Sequence, residues 1–216
     1  MTSHKSHEMP TAAEALPGRA TSLHTDEVHY VSGRPLKGPH PEGFETAILG
    51  MGCFWGVERI FWQLPGVWVT SVGYTGGITP NPTYEETCTG RTGHAEVVSI
   101  EFDPEVISRE TILDVFFTVH DPTQLNRQGH DIGTQYRSAM FYETPGQREL
   151  FESAVARANE MWGGRVVTEI AELEKFYPVE DYHQDYFANN PTQGYCVAVV
   201  APKVGKVRQS FSHLIK

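Results

Sequence analysis

Ala47-Ile48-Leu49-Gly50-Met51-Gly52-Cys53-Phe54-Trp55-Gly56-Val57-Glu58-Arg59-Ile60 passes from an apolar run, through two glycines, into an amphipathic run that Pro65-Gly66 ends. The pattern predicts a strand over Glu45 to Leu49, a tight turn, and a helix over Phe54 to Leu64. A single thiol, Cys53, sits at the turn. There it lies at or near a helix N-terminus, where unpaired backbone N–H groups and the helix dipole favour an anion. The position predicts a lowered thiol pKa and an available thiolate. The competing reading is a small buried hydrophobe, a common fate of cysteine. Phe54 and Trp55 place aromatic surface beside the sulfur.

Outward from this unit, strand and helix signals interleave irregularly. A strand near Val67 to Tyr74 leads into a Gly/Pro-rich loop, Thr75 to Pro82. Ala95 to Phe102 reads as a strand closed by Asp103-Pro104, and Ser108 as the cap of a helix from Arg109 to Val119. Ser138 to Tyr142 is a strand. Thr144-Pro145 opens a long helix to about Trp162, stopped by Gly163-Gly164. Val166 to Glu172 is a strand, Val179 to Asn189 a short aromatic-rich helix, and the chain after Val200 a basic, irregular end. The expected fold is α+β: a two-layer domain with a mixed, mainly antiparallel sheet packed by helices, rich in loops. Residues 1–43 carry five prolines and little periodicity, so they read as an extended N-terminal arm. The compact domain is then 44–216.

Bulk properties narrow the function classes. With 39% hydrophobic residues in 216, the chain has enough apolar surface for a real core. The formal net charge of −10 repels phosphate backbones, so nucleic acid is not an expected partner. No apolar run reaches the roughly 18 residues of a membrane helix, and the first 25 residues show no secretory pattern. The 3 cysteines, Cys53, Cys88 and Cys196, form no C-x-x-C pair. That spacing argues against zinc and against a disulfide framework. A reducing, cytoplasmic setting is expected, where a thiol is inert or catalytic.

Polar groups gather at other junctions between loops and elements, where binding residues concentrate. Tyr84 follows the rigid turn Asn81-Pro82-Thr83. Glu96 follows Gly93-His94-Ala95 at the start of a strand. Strand alternation puts Glu96 on one face with Val98, Ile100 and Phe102. A carboxyl on that apolar face is partly desolvated, which raises its pKa and suits it as a general acid. Asp131, Gln135, Tyr136 and Arg137 crowd one Gly-bounded segment. Singly, the tyrosines read as core aromatics and Asp131 as a turn residue.

Taken together, Gly52-Cys53-Phe54-Trp55-Gly56, Gly73-Tyr74-x-Gly76-Gly77, Asn81-Pro82-x-Tyr84, Gly93-His94-Ala95-Glu96, Gly133-x-Gln135-Tyr136-Arg137-Ser138 and Glu180-Asp181-Tyr182-His183-Gln184 resemble the peptide methionine sulfoxide reductases of the A type. The six motifs run in the family's order from about residue 46 to Cys196. The resemblance implies reduction of methionine-S-sulfoxide, free or in proteins, to methionine. In it, Cys53 attacks the sulfoxide sulfur and Glu96 protonates the oxygen. Tyr84, Tyr136 and Asp131 hold that oxygen, and Phe54 and Trp55 enclose the S-methyl group. Cys53 is left as a sulfenic acid, and Cys196, in Gly194-Tyr195-Cys196, resolves it as a disulfide that thioredoxin reduces. Cys88 remains open as an alternative resolver. His94, His183 and Arg137 are expected to buttress the site. No metal or organic cofactor is implied, and the expected working unit is a monomer. Two rivals stand beside this reading. A dinucleotide loop, Gly50-x-Gly52-x-x-x-Gly56, lacks the acidic residue after the second strand; a non-catalytic peptide-binding domain with an aromatic pocket would not need Cys53.

Overall fold

The structure, a computed structural model, describes residues 8–212. Its centre is a six-stranded sheet. In chain order the strands are β1 (Glu45–Met51), β2 (Val67–Thr75), β3 (Ala95–Phe102), β6 (Ser138–Tyr142), β7 (Glu169–Glu172) and β8 (Tyr177–Pro178). Across the sheet the order is β7-β6-β1-β3-β2-β8. Only the β6–β7 pair is parallel, so the sheet is mixed and mainly antiparallel. A separate hairpin joins β4 (Arg127–Gln128) to β5 (Asp131–Ile132).

Apolar patterning explains the layers. β1 and β3 lie mid-sheet, and every residue of β3 is buried, as strands covered on both faces require. Val98, Ile100 and Phe102 face a large core built with helices α1 (Phe54–Phe61), α3 (Arg109–Val119) and α4 (Pro145–Met161). Ile48, Ala95, Val97, Ala139 and Phe141 form a smaller cluster, covered by Ala171, Leu173 and Phe176. Helix α1 contributes Val57, Ile60 and Phe61, all essentially buried. Each such side chain is worth about 1.5–3 kcal/mol of burial, more than an eight-residue helix gains from propensity.

Caps hold where polar residues announced them. Ser108 accepts from the Thr111 N–H and opens α3. Thr144 accepts from the Gln147 N–H, with Pro145 in the first turn of α4. Thr83 and Glu86 form a capping box on a helix the sequence reading passed over, α2 (Tyr84–Cys88).

Three expectations are corrected. The strand expected from Val166 begins at Glu169. The helix expected over Val179 to Asn189 is instead a 3-10 turn at Asp181–His183 and a short helix, α5 (Tyr186–Asn189); Asp185, at φ 53°, breaks the run between them. The end expected to be irregular after Val200 is helix α6 (Ala201–Ser210), entered from a π-type turn, Cys196–Val200. Val200, Val204 and Val207 repeat at helical spacing and are all buried. No helix among the described residues is long and apolar enough to cross a membrane.

Candidate active site

The site forms where β1 hands over to α1. Gly52 turns the chain at φ +91°, and a Cβ there would meet the Gln128 side chain at 2.8 Å. That close approach, open only to glycine, brings the β4–β5 hairpin up to the turn. Gln128 pairs in register with Asp131 on this hairpin. Cys53 is the N-cap of α1, and its residue is 8% exposed.

The lowered thiol pKa expected from the helix N-terminus does not survive burial. Desolvation pushes the Cys53 thiol well above its ordinary value, and the Glu96 and Asp131 charges add to the rise. The Trp55 N–H at the helix start acts in the opposite direction and is outweighed.

Glu96 lies on β3 opposite Tyr74 of β2. Its Oε2 accepts the Phe54 N–H at 3.1 Å, the backbone donor next to Cys53. Oε1 is buried and has no hydrogen-bond partner among the described residues. Burial raises this carboxyl to about 8, so it holds its proton at neutral pH. The face argued from strand alternation is the one it occupies: Val98, Ile100 and Phe102 beyond it belong to the main core.

Tyr84 stands at the start of α2, where its N–H donates to Glu180 Oε1 at 3.1 Å. Tyr136 ends the 3-10 turn Thr134–Tyr136. Desolvation, joined by the neighbouring Cys88, Glu96 and Cys53, raises both phenols; they therefore remain protonated donors. Arg137, buried, braces this side: it donates to the carbonyls of Gly76, Gly93 and Thr134 and pairs with Glu169. His94 accepts the Gly77 N–H on Nδ1 and donates from Nε2 to the Thr79 carbonyl. Both residues tie loops together, as their motif positions suggested.

An aromatic wall closes the remaining side. Trp55 stacks on Tyr186 with ring centroids 3.8 Å apart and planes at 11°. Its Nε1–H donates to His183 Nδ1 at 3.1 Å, and the His183 ring lies 4.1 Å from that of Tyr84. Burial lowers His183 to about 4, which keeps the imidazole a neutral acceptor. Phe54 points inward, 1% exposed, against Tyr74.

Tyr195 and Tyr186 are the residues sequence reasoning missed. The Tyr195 hydroxyl donates to Asp131 Oδ2 at 2.7 Å and interacts with the Cys53 sulfur; its ring meets Trp55 edge-on. The signal was its place beside Cys196. Cys196 itself is fully buried in the turn that follows. No disulfide joins the three thiols. Cys53, Glu96, Asp131, Tyr84, Tyr136 and Trp55 thus surround one place, with Cys196 on the segment that covers it.

A protonated acid, phenol donors and an aromatic wall around a thiol suit a small polar oxygen attached to an apolar, polarisable group. A sulfoxide beside a methyl group has that character.

Known proteins agree. The family model described as peptide methionine sulfoxide reductase matches residues 45–215. A peptide methionine sulfoxide reductase MsrA of Agrobacterium fabrum is 56% identical over 202 residues, covering 90% of this chain and 92% of the relative. Among solved structures, methionine sulfoxide reductase A of Corynebacterium diphtheriae superposes with a TM-score of 0.81 at 42% identity, covering 88% of this chain and 94% of that one. Reduced Mxr1 from Saccharomyces cerevisiae gives a TM-score of 0.69 at 33% identity, covering 73% and 91%. On that agreement of sequence, fold and site, the chain belongs to the peptide methionine sulfoxide reductase family.

Proposed function

We propose that this enzyme reduces methionine-S-sulfoxide, free and in proteins, with Cys53 as nucleophile and Glu96 as proton donor. The observation that carries the assignment of roles is the buried, protonated Glu96 hydrogen-bonded to the N–H of the residue after Cys53. The sulfoxide oxygen accepts from the Tyr84 and Tyr136 hydroxyls, and Trp55 flanks the methyl group. Phe54, being buried, shapes the floor behind Trp55. Asp131, with its partner Tyr195, closes the polar side.

In the chemical step a Cys53 S–S bond forms to the sulfoxide sulfur while the Glu96 proton moves to the oxygen. The carboxylate so produced can take up the Cys53 thiol proton. A raised thiol pKa is therefore no obstacle, because the nucleophile need not ionise before substrate binds. Transfer of the hydroxyl to the Cys53 sulfur releases methionine: Cys53 is oxidised by two electrons to the sulfenic acid, and the sulfoxide is reduced by two. Cys196 then condenses with the sulfenic acid, giving a Cys53–Cys196 disulfide and water. A dithiol protein returns both thiols by exchange. Thioredoxin is the proposed reductant; yeast Mxr1, of similar fold, has been solved in complex with Trx2. This chemistry suits a reducing compartment, and we place the enzyme in the cytoplasm.

The test is turnover of the separate S and R epimers of N-acetyl methionine sulfoxide with dithiothreitol, for wild type and Cys53→Ser. Reduction of the S epimer alone, abolished by the substitution, is expected. An active Cys53→Ser enzyme would refute the mechanism, and a wild type inert on both epimers would favour a peptide-binding domain instead.

A further inference from the structure

Several of the side chains around Cys53 stand where a loop enters an element, and loops need something to hold them. On the outer side of two of these loops lies the segment before β1. Leu16 donates its N–H to the Arg91 carbonyl and accepts from Thr79 Oγ1. Arg19 donates to the Asn81 carbonyl at 2.5 Å and pairs with Glu86 at 2.8 Å, and Asn81 Nδ2 donates back to the Arg19 carbonyl. Glu86 is the carboxylate of the capping box that starts α2 at Tyr84.

Ten residues on, His29 is wholly buried. Its Nδ1 accepts the Val31 and Ser32 N–H groups, which leaves the ring proton on Nε2. That nitrogen hydrogen-bonds Thr70 Oγ1 at 3.0 Å and lies 3.0 Å from Asp185 Oδ1, a charge contact rather than a second hydrogen bond. Asp185 Oδ2 accepts the Tyr30 N–H, and the Asp185 N–H donates to Glu58 Oε2 of α1. Donor atoms of His29, Glu58 and Asp185 lie within 4.8 Å of one another. A divalent cation would need the Nε2 lone pair, yet two donors already hold Nδ1 unprotonated, so the donor set does not fit a metal. It fits a latch. Asp185 is held in a left-handed conformation, φ 53°, between His183 and Tyr186, the two residues that pack on Trp55.

We propose that residues 16–30 form a positioning strap for the substrate pocket: Arg19 sets the loop that presents Tyr84, and His29, through Asp185, sets the His183–Tyr186 wall against Trp55. The proposal rests on the reductase reading and adds two positioning residues remote from the reacting atoms. Loosening a wall weakens substrate binding more than it slows the bond changes at Cys53.

The experiment measures kcat and KM separately for full-length Arg19→Ala and His29→Ala with N-acetyl methionine-S-sulfoxide and dithiothreitol. KM should rise about tenfold in each while kcat stays within about twofold, because the loss is one of binding. His29→Gln, which keeps an N–H donor between Thr70 and Asp185, should recover much of the loss. A merely structural role would lower the melting temperature or the active fraction and leave KM unchanged; that result in both variants would overturn the strap. Should His29→Ala fail to fold, Arg19→Ala carries the test, since its side chain is 33% exposed. A wild type inactive on the substrate would sink the reductase reading, a result separable from unchanged KM in active variants.

Discussion

Glu96 and Cys53 are both buried acids, and burial acts on them in the same direction: each keeps its proton near neutral pH. For Glu96 this sets two pH dependences. The proton-donating form exists below about 8, so the rate of sulfenic acid formation should fall above that pH. Were a pre-formed Cys53 thiolate the attacking species, the rate would rise there instead. Stopped-flow measurement of the first turnover across pH 6–10 separates the two. Glu96→Gln should cost about 10²–10⁴ in that step and remove the limb near 8. The second dependence concerns stability. An unfolded glutamate releases its proton near 4.5 but the folded one holds it to about 8. The folded state thus binds more protons between those values, and wild-type stability falls as pH rises through that window. Glu96→Gln should therefore gain melting temperature relative to wild type from pH 4.5 toward 8; an unchanged difference would contradict the burial argument. Sequence alternation could place Glu96 on the apolar face because the neighbours were legible. It could not show that Cys53, beside it, would be sealed from water and lose the benefit of its helix terminus.

At the scale of elements, α1 and the C-terminal turn share one tight contact. A Cβ on Gly56 would meet Val200 Cγ2 at 2.9 Å, and Val200 closes the turn that begins at Cys196. Gly56→Ala gains roughly 1 kcal/mol of helix propensity, against about 1–3 kcal/mol for overpacking next to a stiff β-branched side chain. Net destabilisation of about 1 kcal/mol is expected in urea unfolding; a stabilised variant would show that the turn yields freely. Cys196→Ser should leave the first turnover intact and abolish steady-state recycling by thioredoxin, read as methionine formed per enzyme. Normal recycling would point to Cys88 instead, or to direct reduction of the sulfenic acid. Helix α6 escaped the sequence reading because Pro202 and Gly205 weigh against a helix. Its buried Val200, Val204 and Val207 carried the contrary signal. Tyr195 was hidden for a different reason: its role depends on a partner, Asp131, 64 positions away.

Over the whole molecule, the sheet was the most legible part. β3, α3 and β6 span the ranges that periodicity and caps indicated, because continuous apolar strands and polar caps are local signals. The site was legible as a set of motifs at loop-to-element junctions. Its geometry was not, since it depends on a sheet order, β7-β6-β1-β3-β2-β8, that brings distant segments to one turn. The buried link from His29 to Asp185 likewise has no local signature. If Cys196 resolves the sulfenic acid, one turnover spends the thiols of Cys53 and Cys196 and spares Cys88. Treating reduced wild type with excess N-acetyl methionine-S-sulfoxide and no reductant, then counting methionine product and remaining thiols, tests this. About one product per chain is expected, with one thiol left of the 3 present and a peptide pair linked through Cys53 and Cys196. A disulfide containing Cys88, or product formed without loss of thiols, would contradict it.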